Sequence, residues 1–182
     1  MIKFELLADQ LEARFRELGT NSPTTQRAVD AFARVVRTRI QMAFRTARSP
    51  NGTAWRRLNP LFRVGQPLRN TGRLYGSIQS RREGESVVIG TNLRTPDGRH
   101  NLGAIHQFGA VVTPTAGPGQ TYRGRLLGPI PTANKGFVFL KRAVIPARPF
   151  MPLDPSGRVN LPPSWAQSAL QAMARALDVT PA

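Results

Sequence analysis

The chain contains no cysteine. Disulfides, thiol nucleophiles and cysteine-based zinc sites are therefore excluded, and a reducing cytosol suits such a chain. Histidine is scarce, with only His100 and His106 among 182 residues. No apolar run approaches the roughly 18 residues of a membrane span. The N-terminus, MIKFELLADQLEARF, carries acidic residues inside its apolar pattern and does not read as a secretory signal. Acidic side chains are nearly missing from the middle of the chain: residues 31–153 hold 20 basic residues and only Glu83, Glu85 and Asp97.

These gaps remove most routes to catalysis, which needs a nucleophile, a base or a metal cage. His100 sits in a polar loop beside Arg99, and His106 in an apolar stretch where a hydrogen-bonded structural role is the plainer reading. Two histidines without a nearby carboxylate pair make a poor metal set. Glu83 and Glu85 flank Gly84 as turn residues, and Pro96-Asp97-Gly98 is ordinary turn chemistry. TGRLYGS lacks the GK[ST] ending of a phosphate loop, and neither GxSxG nor HExxH occurs. A non-enzymatic protein with no cofactor and no metal is expected.

What is abundant is arginine. The formal net charge is +16, and of 26 basic residues 23 are Arg. Residues 1–30 hold four basic and five acidic side chains, and residues 154–182 hold two of each, so the ends are near neutral and the body is cationic. Such a body seeks polyanions or acidic protein surfaces, and Arg favours bidentate pairing with carboxylate or phosphate. A GC-rich coding sequence also favours Arg over Lys, but it does not deplete the middle of acids. Arg34 and Arg37, on a predicted helix, and Arg123 and Arg125, in a Gly/Pro-rich stretch, are candidate contacts to a partner or DNA. A solvated face is the plainer reading for any one of them.

Hydrophobic periodicity predicts a helix over 3–18, with Phe4, Leu7, Leu11, Phe15 and Leu18 in one stripe. A second helix runs from the Ser22-Pro23 start to about Ala47. Residues 49–70 read as a loop anchored by Trp55 and Leu58. Thr71 is placed to cap a single helical turn, followed by strands near Ser77–Arg82 and over Ser86–Thr91. Ala104–Phe108 is a short apolar piece, helix or strand, ended by Gly109, and Val111 and Val112 open another strand. Residues 113–135 read as a long loop, Gly136–Leu140 as a strand, and 143–153 as extended by two X-Pro restraints. A last helix starts at Pro162 or Pro163 and carries Trp165, Leu170, Met173 and Leu177 on one side. The whole reads as one α+β domain over 1–182: a helical part over 1–48, a small antiparallel sheet with long loops over 71–153, and a C-terminal helix over 161–178.

Five short stretches in order resemble the phage virion morphogenesis family, which includes the tail-completion proteins of Mu-like phages. They are Gly52-Thr53-Ala54-Trp55 with Leu58; Leu68 to Ile78 around Thr71-Gly72; Val88-Ile89-Gly90-Thr91-Asn92; Ala104-Ile105-His106-Gln107-Phe108-Gly109; and Ile145-Pro146-Ala147-Arg148-Pro149-Phe150-Met151. Together they span roughly residues 40–153. The sequence departs from the family pattern at Leu102-Gly103, where a tyrosine is often found, and the stretch 110–144 is long.

The motif residues have readings of their own. Thr71-Gly72 suits a cap and a tight turn. Gly90 and Gly109 allow sharp exits where a side chain would clash. Pro146 and Pro149 fix an extended segment that presents Arg148 to a carboxylate or carbonyl, and Phe150 to an apolar pocket. Arg148 is the best candidate for a specific salt bridge, within the fold or between subunits. For Trp55, Thr71, Gly72, His106, Gly109, Arg148 and Phe150 alike, simply holding the fold together is the plainer role.

The resemblance implies a virion protein, assembled in the bacterial cytoplasm, that finishes the tail or neck at the head-to-tail junction. It implies a ring, six copies by the tail's symmetry, with head-closure or connector proteins and tail tube or terminator proteins as neighbours. Contact with double-stranded genomic DNA is a further expectation, and a membrane partner is not. A tail terminator capping the tube is the nearest alternative, and a basic protein acting on packaged DNA is the alternative of another class.

Overall fold

The computed structural model describes residues 2–19, 22–83, 86–114 and 126–178, with side chains from residue 9 onward. Two helices open the chain, α1 (Ile2–Leu18) and α2 (Pro23–Thr46). The Ser22 hydroxyl accepts from the Thr25 N–H at 3.1 Å, and Pro23 occupies the first helical turn, where its missing N–H costs nothing. Ala47, at φ 52°, ends α2 in the left-handed region. The apolar stripe of α2 lies against the C-terminal helix α5 (Pro163–Ala176).

Two apolar clusters result. The larger gathers Val36, Ile40, Ala43 and Phe44 of α2 with Trp55, Leu74, Ile78, Phe150, Trp165 and Ala169. Phe44 is fully buried at its centre, with its ring edge-on to Trp55 and Tyr75 and tilted against Phe150. The smaller cluster joins Leu11 of α1 to Ala28 of α2 and Ala174 and Leu177 at the end of α5. The expected stripe of α1 is confirmed at Leu11, Phe15 and Leu18, while the side chains of Phe4 and Leu7 lie outside the described residues.

Between the helices run a one-turn helix α3 (Arg73–Gly76), strands β1 (Gln79–Glu83) and β2 (Ser86–Gly90), helix α4 (Leu102–Phe108), and strands β3 (Ala110–Val112), β4 (Leu127–Pro131), β5 (Phe137–Leu140) and β6 (Ala143–Ile145). The architecture is α+β, as expected. Its strands do not form one sheet but three antiparallel pairs among the described residues: β1–β2, β3–β6 and β4–β5. In the first, Gln79 faces Gly90 and Glu83 faces Ser86. Arg81 pairs with Glu83, and Arg82 reaches Asp30 at 3.1 Å, tying the hairpin to α2.

The loop expected over 113–135 is partly strand. Leu127–Pro131 pairs with Phe137–Leu140 across an irregularity between Leu127 and Ile130. Pro129 and Pro131 lack the N–H that a ladder uses, and are tolerated because this two-stranded ribbon needs donors on one side only. Residues 104–108 are helical. The Asn101 side chain accepts from the Ala104 N–H at 3.0 Å and starts α4. Thr71 does not cap α3 as predicted. Gly72, at φ 74°, takes the cap position, and the Thr71 hydroxyl accepts only a long 3.4 Å bond from the Arg73 N–H. At Gly90 an added Cβ would meet nothing within 4 Å, so no clash enforces glycine there.

Candidate functional site

The motif residues converge where the segment 147–151 crosses the end of α4 and the 49–56 loop. Trp55 is buried, and its indole Nε1–H donates to the Pro149 carbonyl at 2.8 Å. Phe150, 1 % exposed, fills the pocket formed by Phe44 and its neighbours. The Arg148 N–H donates to the His106 carbonyl at 2.7 Å, which fastens the segment to α4. Gly109 turns the chain from α4 into β3 at φ 78° and ψ 172°, a combination that only glycine adopts readily. A Cβ there would lie 2.9 Å from the Ile145 carbonyl oxygen and 3.0 Å from the Ala147 nitrogen.

The residue that organises this crossing is Gln107, which the sequence did not single out. Its side-chain oxygen accepts from the N–H groups of Phe150 and Met151, each at 3.0 Å, and its Nε2 donates to the Met151 carbonyl at 3.1 Å. One buried amide thus satisfies two backbone N–H groups that would otherwise be costly to bury, and adds a second donor to the Met151 carbonyl, which also accepts from the Leu153 N–H at 2.9 Å. The available signal was a lone amide side chain inside the apolar stretch 104–108. Gln66 was also missed: its Nε2 donates to the carbonyls of Phe44 and Arg45, both at 2.7 Å, closing the end of α2.

Arg148 is 6 % exposed. Its Nε donates to the Arg56 carbonyl at 3.1 Å. The salt bridge expected for it within the fold is not there: the ion pairs among the described residues join Arg14–Glu17, Arg16–Glu12, Arg81–Glu83 and Arg82–Asp30. The extended backbone alternates its side chains. That turns Arg148 into the fold, while Ala147 and Pro149 face a cleft of about 480 Å³, lined also by Trp55, Arg56, Phe108 and Asn160. Burial, then the nearby Arg56 and Arg63 guanidinium groups, pulls the Arg148 pKa below its usual value. His106 lies beside it. Its Nδ1 is sealed from solvent without a partner, and burial, then Arg148, pushes its pKa down. No group of three or more His, Asp or Glu among the described residues is placed to hold a metal ion.

The structure does not bring the remaining candidates to this crossing. Arg34 and Arg37 lie exposed on α2, and no hydrogen bond or ion pair holds either among the described residues. Arg123 and Arg125 lie outside the described residues. A separate feature is apolar exposure on the ribbons. Phe137 and Phe139 on β5 are 65 % and 50 % exposed, and Val111 and Val144 on β3 and β6 are 63 % and 61 % exposed. No described helix is long and apolar enough to cross a membrane.

Fold and site together define a small α+β scaffold whose shared motifs fasten its backbone and whose ribbons offer apolar side chains outward. The chain belongs to the phage virion morphogenesis family, which it matches over residues 7–162. Its role is accordingly a structural one in phage virion assembly. No curated protein and no solved structure gives a match.

Proposed function

We propose that the protein is a tail-completion or neck component that forms a ring at the head-to-tail junction, finishing the tail and connecting it to the head. The observation that carries this reading is the pair of two-stranded ribbons β3–β6 and β4–β5, with Val111, Val144, Phe137 and Phe139 turned to solvent. Isolated two-stranded ribbons are marginal in water, and clustered exposed apolar side chains mark interaction surfaces. A neighbour that covers them supplies what each ribbon lacks. Closed rings built from one repeated contact suit a subunit with two different faces, and the family's place in virion morphogenesis supports such a use. Head-closure or connector proteins on one side and tail tube or terminator proteins on the other are the proposed neighbours, with six copies as the proposed number.

A basic DNA-binding role has its own support in the cationic body, where Arg34 and Arg37 are exposed. Native mass spectrometry of the purified chain, with and without duplex DNA and across salt, separates the two. The ring reading expects a closed oligomer that persists at high salt without DNA. A monomer that assembles only on DNA overturns it. Cryo-electron microscopy of intact virions then distinguishes a neck position from a terminator at the end of the tail tube.

A further inference from the structure

Arg148 is a buried cation for which the described residues provide no counter-charge. A guanidinium carries five N–H donors. Here Nε alone is engaged, by the Arg56 carbonyl. Among the described residues only the His106 Nδ1 is both sealed and unpaired, so the two Nη groups, which bond to no described residue, are not fully sealed from solvent. The surroundings add positive charge instead of removing it. The Arg63 guanidinium is held nearby by Asn70 and the Gln66 carbonyl, and Arg56 is exposed at the rim. Burying a charge without a partner is costly, yet the backbone of Arg148 is fixed by His106 and its neighbour Phe150 by Gln107. The fold thus holds the Arg148 backbone in place and leaves its two Nη groups unpaired among the described residues.

We propose that the Arg148 fork, flanked by Arg56 and Arg63, is a docking well for a carboxylate carried by another protein chain. With Nε occupied, the two Nη groups present the end-on edge that a carboxylate grips bidentately. The recess selects the partner. A carboxylate on the slender stem of an Asp or Glu enters an opening that leaves Arg148 only 6 % exposed. A phosphate flanked by sugars in a duplex does not. The scarcity of acids in residues 31–153 also leaves few carboxylates of the same subunit to compete for the well. The idea rests on the reading of the chain as an assembly subunit, and the carboxylate comes either from a second copy or from a different virion protein.

The test uses the full-length, ¹⁵N-labelled chain and follows the Arg148 Nε–H signal, identified by its loss in Arg148→Lys. A hexaglutamate peptide and a 12-base-pair duplex are titrated in separate samples. The expected result is that the peptide moves the signal and the duplex does not. Arg148→Lys, which keeps the charge but loses the fork, weakens peptide binding about tenfold, and Arg175→Lys, an exposed site on α5, leaves it unchanged. A duplex that moves the signal as strongly as the peptide overturns the proposal, as does peptide binding indifferent to Arg148→Lys. If the chain is already assembled and the peptide leaves the signal still, Arg56→Glu decides. A smaller particle with an unchanged melting temperature assigns the carboxylate to a second copy, whereas an unchanged particle overturns the proposal. A chain that stays monomeric while the peptide moves the signal upholds the well and overturns the ring instead.

Discussion

The Trp55 indole N–H donates to the Pro149 carbonyl at 2.8 Å, joining the loop after α2 to the 147–151 segment across 94 positions of sequence. The bond lies at the edge of the larger core, with Phe44 edge-on to the indole at 5.7 Å. Trp55→Phe keeps most of the apolar surface but leaves the carbonyl without its donor. A loss of about 1–3 kcal/mol is expected in urea denaturation followed by circular dichroism. Trp55→Ala also empties the site and should cost about 3–5 kcal/mol. A Trp55→Phe variant as stable as the parent would show that the hydrogen bond contributes nothing.

Gln107 makes a sharper case, because one side chain serves three backbone groups. Gln107→Leu has nearly the same size but strands the N–H groups of Phe150 and Met151 beneath the surface, while the Met151 carbonyl keeps the Leu153 N–H at 2.9 Å. Each stranded group costs about 1–3 kcal/mol, so a loss of at least about 2 kcal/mol is expected by thermal or urea unfolding. A loss below about 1 kcal/mol would mean that water reaches these groups and that the amide is dispensable.

The helices were legible because their signals are local. The stripe of α2 from Ala28 to Phe44, its Ser22-Pro23 start and the Pro163 start of α5 all lie within the elements they define. Gly109 was legible for the same reason, and its φ of 78° bears the reading out. The strand Leu127–Pro131 was not, since a glycine and two prolines argue against a strand unless it lies in a ribbon with an open side. Gln107 and Arg148 were legible only as unusual residue types. Their acceptors and donors lie 43 to 92 positions away, and no local pattern encodes such pairings.

Two glycines of the shared motifs should respond differently to the same change. Gly72, at φ 74°, has nothing within 4 Å of an added Cβ, so Gly72→Ala costs only the left-handed backbone, roughly 1–2 kcal/mol. Gly109→Ala bears a comparable backbone cost and also drives its Cβ against the Ile145 carbonyl and the Ala147 nitrogen. Overpacking of that kind adds roughly 1–3 kcal/mol. Melting temperatures of the two variants measured side by side check the order, and Gly72→Ala being the worse of the two would contradict the geometry.

Arg34 and Arg37 stand exposed on α2 without a partner among the described residues. Replacing both with Gln should change stability by no more than about 0.5 kcal/mol each. If they meet duplex DNA, the same double change lowers the slope of log affinity against log salt by about 0.9 per lost contact. Filter binding across a salt series measures it. An unchanged slope assigns these arginines to a solvated face.

His106 ties stability to pH. Burial, then the Arg148 charge, lowers its pKa in the folded protein below the ordinary 6.5. The unfolded chain therefore takes up a proton first as pH falls. Stability is undiminished above about pH 7 and declines as pH drops through the ordinary histidine value, until the folded-state pKa is reached. The slope is at most about 1.4 kcal/mol per pH unit, and less in practice because the partly exposed ring is screened by solvent. The carboxylates of Asp97 and Asp154, held below their usual pKa first by the hydroxyls of Thr95 and Ser156 respectively, titrate at lower pH and do not blur this window. His106→Gln removes the titration, so its urea midpoint should stay flat between pH 7 and 5 while that of the parent falls. Parallel curves for the two proteins would place the pH dependence elsewhere.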